Sequence, residues 1–152
     1  TNNYLVLEGT NAQASNSSYT ASATATSVTT GTAGDMTQSS ADIILHLFGT
    51  VAGVSKVGSY TGNGSSSGPQ IDCGFTAGAR FILIKSLGSG NWVTFDTYRG
   101  IASGDDSYLK FNSDQAPATG QYVNPYSSGF QIATTDGDLN TNGTTYIFLA
   151  VA

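Results

Sequence analysis

Arg80-Phe81-Ile82-Leu83-Ile84-Lys85 decides the fold. The run is apolar on both faces, so it reads as a strand from the middle of a packed sheet. Downstream, Asn91 to Arg99 alternates, with Trp92, Thr94, Asp96 and Tyr98 on one side and Val93, Phe95, Thr97 and Arg99 on the other. Upstream, Gln70 to Phe75 and Val54 to Tyr60 form a predicted hairpin around the glycine-rich turn Thr61-Gly62-Asn63-Gly64-Ser65. Tyr146 to Val151 closes the chain as a strand. Asn3 to Glu8 opens it as one, and Ile43-Ile44-Leu45-His46-Leu47-Phe48 reads as another strong strand. Eight or more short strands separated by turn signals predict an all-β fold: an antiparallel β-sandwich, jelly-roll-like, with no substantial helix. The expected core is Phe81, Ile82, Leu83, Ile84, Val93, Phe95, Ile147, Leu149 and Ile44.

The last third of the chain repeats its first third. At an offset of 104, Tyr4-Leu5-Val6-Leu7 lies over Tyr108-Leu109-Lys110-Phe111 and Ala14 over Ala118. Ile43-Ile44-Leu45 lies over Ile147-Phe148-Leu149, and Phe48 over Ala152. A slip of one residue puts Gly34-Asp35-Met36 over Gly137-Asp138-Leu139. Residues 1–50 therefore read as the C-terminal part of a preceding module, packed with the rest, and 51–152 as a complete C-terminal sandwich module. The Thr- and Ser-rich stretch 9–40 is low in complexity. Its counterpart contains Tyr122-Val123 and Gly129-Phe130-Gln131-Ile132, so 20–29 is expected to be ordered. Repetition at a fixed period marks arrays in which each unit leans on its neighbour. Enzymes seldom need this; filaments and binding stalks do.

Composition agrees with strand chemistry. Asp, Glu, Lys and Arg make up 10% of the 152 residues, where about 25% is usual. Thr, Val, Ile, Tyr and Phe dominate the apolar runs. The net charge of −5 comes without a basic stripe, which argues against a nucleic-acid partner. No apolar run approaches the ~20 residues of a bilayer span, so no membrane insertion is expected. The lone Cys73 forms no internal disulfide. Thr1 falls in mid-pattern, so the gene product is expected to extend upstream.

Gly53-Val54-Ser55-Lys56-Val57-Gly58-Ser59-Tyr60-Thr61-Gly62-Asn63-Gly64 resembles the opening motif of β-rich repeat modules in tail-fibre and fibre-like virion proteins of bacteriophages, marine phages especially. Further landmarks follow in the order seen there: Gly74-Phe75, Phe81 to Lys85, Asn91-Trp92, Asp96 with Arg99-Gly100, Tyr108-Leu109, Ser128-Gly129-Phe130, and Asn142 to Ile147. The resemblance covers about 45–152. One departure is Thr76-Ala77-Gly78-Ala79-Arg80, where such modules usually carry a proline after the Gly-Phe pair. The resemblance implies a protein of the virion surface and carries no catalytic residues with it.

Candidate chemistry is sparse. His46 is the only histidine, set between Leu45 and Leu47 in an apolar run, and is expected to be structural; a Ser-His-Asp or Cys-His arrangement would have to use it, and a zinc site would need further imidazole or thiol ligands that the chain lacks. Asp136, Asp138 and Asn140 place oxygens at alternate positions, a weak calcium candidate. Residue six of that run is Thr141 where an EF-hand wants Gly, so a plain turn is the competing reading. Asp105-Asp106 reads as a solvated loop. Trp92, Asp96 and Tyr98 form a candidate sugar-stacking face. Against it stands Trp92 packed in the core, with Asp96 and Arg99 paired at a strand end. Glu8 is the only Glu, and no marked pair of Asp residues suits glycoside hydrolysis.

The expectation is a non-enzymatic structural or host-contacting module of a bacteriophage fibre at the virion surface, without a cofactor. Expected partners are further copies of itself in a homo-oligomer (a trimer by the resemblance), other virion proteins and a host surface glycan. The alternatives are a free-standing glycan-binding module and a virion-associated glycan hydrolase.

Overall fold

The structure, a computed structural model, describes residues 2–34, 37 and 42–152. The chain forms two compact units, one of residues 1–5 and 13–47 and a larger one of 6–12 and 48–152.

The smaller unit holds two two-stranded ribbons. Strands β1 (Asn3–Tyr4) and β2 (Ala14–Ser15) pair antiparallel, as do β3 (Thr20–Ala23) and β4 (Val28–Thr30). The β3–β4 turn is closed by Thr24, whose Oγ1 accepts from the Ser27 N–H at 3.0 Å. Tyr4 and Tyr19 meet with ring centroids 4.6 Å apart.

The larger unit is an antiparallel sandwich. Its strands are β5 (Ser55–Thr61), β6 (Gln70–Asp72), β7 (Phe81–Ser86), β8 (Trp92–Asp96), β9 (Asp106–Lys110), β10 (Ala118–Gly120), β11 (Val123–Tyr126), β12 (Gly129–Ile132) and β13 (Thr145–Val151). One sheet runs β10-β9-β8-β7-β13-β5 and the other β11-β12-β6. The inward residues of both sheets make one core. Ile82, Ile84, Val93, Phe95, Tyr146, Phe148 and Ala150 come from the large sheet, and Ile71, Val123, Phe130 and Ile132 from the small one. Phe130 meets Phe148 edge to face at 5.4 Å, and Tyr60 stacks on Tyr146 at 5.1 Å. Gly129 is required where the small sheet closes, because a Cβ there would lie 2.0 Å from the Ile71 carbonyl oxygen.

The repeat is visible in register. Tyr4 pairs with Ala14 as Tyr108 pairs with Ala118, and Asn3 with Ser15 as Ser107 with Thr119, each at the offset of 104. With the one-residue slip, β3 falls on β11. The Tyr4–Tyr19 contact has its copy in Tyr108–Tyr122, centroids 4.7 Å apart. Asp35 and Met36, whose counterparts lie in a four-residue helical turn, α1 (Gly137–Asn140), fall outside the described residues.

Several expectations are corrected. Val54–Tyr60 and Gln70–Phe75 do not form a hairpin: β5 pairs with β13 in the large sheet and β6 with β12 in the small one, so the turn between them joins the two sheets. Asn3–Glu8 is a strand only over Asn3–Tyr4, and a turn follows at Leu7-Glu8. Ile43–Phe48 is not a strand, and Ile44 is 81% exposed rather than in the core. Its counterpart β13 is enclosed by β5 and β7. The first copy in this sequence holds no counterparts of β5 and β7, and among the described residues the run has no ladder partner. His46 is accordingly exposed and not held in a strand. Within β7 and β13 only alternate residues reach the core. Ile82, Ile84, Val93 and Phe95 are buried as expected, whereas Phe81, Leu83, Ile147 and Leu149 are half-buried on the opposite face. The predicted strand 91–99 stops at Asp96, where a turn follows.

Candidate functional site

Trp92, the only tryptophan, opens β8 on the sheet face opposite the core, directly across from Lys85. That face cannot be simple apolar packing, since Lys85 is fully buried beneath it and donates from Nζ to the Ser86 carbonyl at 2.8 Å and the Gly88 carbonyl at 3.0 Å. Burial lowers the Lys85 ammonium below its ordinary range, while Asp138 partly offsets this.

A polar chain fixes the backbone around Trp92. Its N–H donates to Asn112 Oδ1 at 2.8 Å, and Asn112 Nδ2 donates to Asn91 Oδ1 at 2.8 Å. Asn91 grips Asp138 twice, through its N–H (2.8 Å) and its Nδ2 (2.6 Å). Lys110 Nζ lies 3.7 Å from Asp138 Oδ2. The carboxylate of Asp138 is thereby committed to holding β8 and β9 to α1, not to a ligand.

The segment 6–12 seats on this region. The indole Nε1–H of Trp92 donates to the Val6 carbonyl at 2.8 Å, and the Gly90 N–H donates to the Thr10 carbonyl at 2.9 Å. Gly90 has φ of +150°, and a Cβ there would come within 2.9 Å of Asp138 Oδ1, so a side chain is excluded at the contact. Beside the contact, Leu7, Glu8 and Phe111 line an open cleft of about 350 Å³. Leu7 and Phe111 are repeat equivalents, both about half exposed. Two apolar walls and one carboxylate can stack a flat apolar face and accept hydrogen bonds from hydroxyls.

The expected site residues lie apart. Asp96 sits four residues along β8 from Trp92, about 13 Å at the usual strand rise. It forms an ion pair with Arg99 and accepts the Arg99 N–H at 2.9 Å. Tyr98 is 99% exposed in the turn after β8. Asp136, Asp138 and Asn140 also diverge. Asp136 Oδ1 caps α1 by accepting the Asp138 N–H at 2.8 Å. Asn140 is fully buried, and its Nδ2 donates to the Ser65 and Thr134 carbonyls, both at 2.7 Å, and to Asn63 Oδ1 at 3.1 Å. Asn140 Oδ1 in turn accepts the Asn63 N–H at 2.8 Å. Among the described residues no group of three His, Cys, Asp or Glu is placed to hold a metal.

Sequence reading also placed Asp106 in a solvated loop, and that is corrected. Asp106 is fully buried and accepts the N–H groups of Ala102 (3.0 Å), Tyr122 (3.1 Å) and Val123 (2.8 Å), tying β9 to the start of β11. Such a role carries no sequence mark. The Leu7–Phe111 pairing was different: the repeat alignment contains it, and only the fold makes the two residues neighbours.

A family profile matches the chain over residues 1–152, described as a domain of unknown function (DUF7483). The chain belongs to this family. The DUF7483 match takes in both units, so the repeated end and the sandwich fall within one domain description. No curated protein and no solved structure matches the chain. Among the described residues no helix is long and apolar enough to cross a membrane.

Proposed function

We propose that the chain is a non-enzymatic structural module of a bacteriophage fibre or virion surface appendage, one of a row of copies, that contacts the host surface. The observation that carries this reading is the duplication of a supersecondary unit. β1 and β2 reproduce the register of β9 and β10, and β3 follows β11. Chains that repeat a unit able to lean on its neighbour build extended objects. The resemblance of 45–152 to phage fibre modules supplies the setting, and with it a homo-oligomeric, trimeric assembly. A chain poor in charge and carrying eight Tyr suits packing between subunits, where charged residues are depleted and Tyr is enriched. Labelling purified particles with an antibody to this chain, together with native mass measurement, tests the reading. A strictly monomeric protein absent from particles would overturn it.

A second reading, glycan binding, is favoured by the cleft between Leu7, Glu8 and Phe111. On a glycan array, Phe111→Ala and Glu8→Gln should each abolish retention if the cleft is the site. Retention unchanged in both variants excludes it.

A further inference from the structure

We propose that the turn Lys110–Ser113 docks a further copy of this module, seating on that copy's Trp92 and Gly90 as the turn Val6–Gly9 seats on Trp92 and Gly90 here. The two turns are copies in sequence and in bonding. The Gly9 N–H closes the first on the Val6 carbonyl at 3.1 Å, and the Ser113 N–H closes the second on the Lys110 carbonyl at 3.3 Å, each partner displaced by 104 residues. The Val6 carbonyl takes the Trp92 indole N–H on its second lone pair. Its equivalent acceptor is the Lys110 carbonyl. The Thr10 carbonyl, which takes the Gly90 N–H, has its equivalent in Asp114.

The occupant is set by the socket. Two N–H donors, one on an indole and one on a glycine that admits no Cβ, select a bare backbone turn with two carbonyls at this spacing. Recognition runs through main-chain atoms, so Val6 and Lys110, or Glu8 and Asn112, can differ without spoiling it. The residue that flanks the contact stays apolar, Leu7 in one turn and Phe111 in the other, and both remain about half exposed. The contact is heterologous: a turn on one module meets a socket elsewhere on the next. Heterologous contacts propagate as an open row unless the rotation happens to close. Each added copy would also create a new cleft beside the docked turn, like that between Leu7 and Phe111. The inference rests on the internal repeat, which the fibre reading also uses, and not on the virion attribution.

Trp92 is the only tryptophan, so its fluorescence reports the socket directly. In the chain as it stands, Gly9→Pro removes the N–H that closes the first turn. It should red-shift Trp92 emission and raise its quenching by iodide. A tandem protein is then made of the full chain followed by a second copy of residues 49–152, with Trp92→Phe in the first copy. The remaining Trp92 should show the emission and iodide shielding of the unmodified chain. Ser113→Pro in the first copy should shift it to the values of the Gly9→Pro chain, and Phe111→Asp should do so by a different route. A second-copy Trp92 that is exposed from the start, or shielded regardless of both variants, overturns the proposal. Absence of the protein from phage particles would defeat the fibre reading and leave this result untouched.

Discussion

Ile43–Phe48 and β13 are two copies of one apolar run, and they end in opposite environments. In β13, alternate residues Tyr146, Phe148 and Ala150 are buried, with β5 and β7 bonded along both edges. In the first copy, Ile44 stands where Phe148 stands and is 81% exposed, with no ladder partner among the described residues. The apolar content is similar, so the difference lies in the neighbours. Strand preference is a preference for a covered, pleated surface, and without that surface the same residues gain nothing from adopting it. The ribbons β1–β2 and β3–β4 do form in the first copy, because each strand finds its partner within about twelve residues of sequence. What needs only a local partner is duplicated, and what needs a distant one is not.

Phe148→Ala should break the enclosed copy most severely. The ring is buried among Tyr60 and Phe130, and its removal should cost about 3–5 kcal/mol in urea unfolding. A loss under about 1 kcal/mol, the range of ordinary surface changes, would mean that the two sheets do not share this core.

Tyr146→Phe probes what distinguishes Tyr146, which enters β13, from its repeat counterpart Asp42. The Tyr146 hydroxyl accepts the Thr141 N–H and donates to the Gly137 carbonyl, both at 2.8 Å. Its loss leaves both backbone groups without that partner and should cost about 1–3 kcal/mol. An unchanged midpoint would place α1 elsewhere.

Alkaline titration sharpens the contrast between the larger unit and the smaller one, which has no thiol. Burial pushes the Cys73 thiol up to about 11, with the nearby Asp72 carboxylate adding to the rise. The unfolded chain releases this proton at lower pH than the folded one. The stabilisation is therefore complete below the ordinary thiol range and is lost as pH rises through about 11. Cys73→Ser should flatten that decline. An identical pH profile in the variant would show that Cys73 does not titrate out of the folded core.

The smallest effect belongs to the exposed copy. Ile44→Ala in dilute, monomeric protein should change stability by no more than about 0.5 kcal/mol. Amides of 43–48 should exchange rapidly while those of β13 are protected. Slow exchange across 43–48 in the monomer would show that the run has found a sheet.

Most strands of the sandwich were legible from period and turn chemistry. Ile82, Ile84, Val93 and Phe95 were recognised as core because their runs alternate or stay apolar beside strong turn signals. The same signal misjudged Phe81, Leu83, Ile147 and Leu149, since a run apolar on both faces does not say which face meets the second sheet. Ile44 was misjudged for a related reason: periodicity measures what a strand would bury, not whether a partner exists. The polar tethers left less trace. Asp106, Asn91, Asn112 and Asn140 look like ordinary turn residues, and each became a hub through partners on other elements, Asp106 and Asn140 fully buried and Asn91 and Asn112 half-buried.

The sequence by itself determined the β character of the chain and the offset of its internal copy, because each depends on simple alternation or on residues compared directly. Tertiary structure alone decided which copy of the apolar run became a strand, which face of β7 entered the core, and that the Val6–Gly9 turn would close over Trp92. Those outcomes depend on donors and acceptors brought together across some eighty residues of chain, as the Trp92 indole N–H meets the Val6 carbonyl, and side-chain identity does not encode where a carbonyl will point.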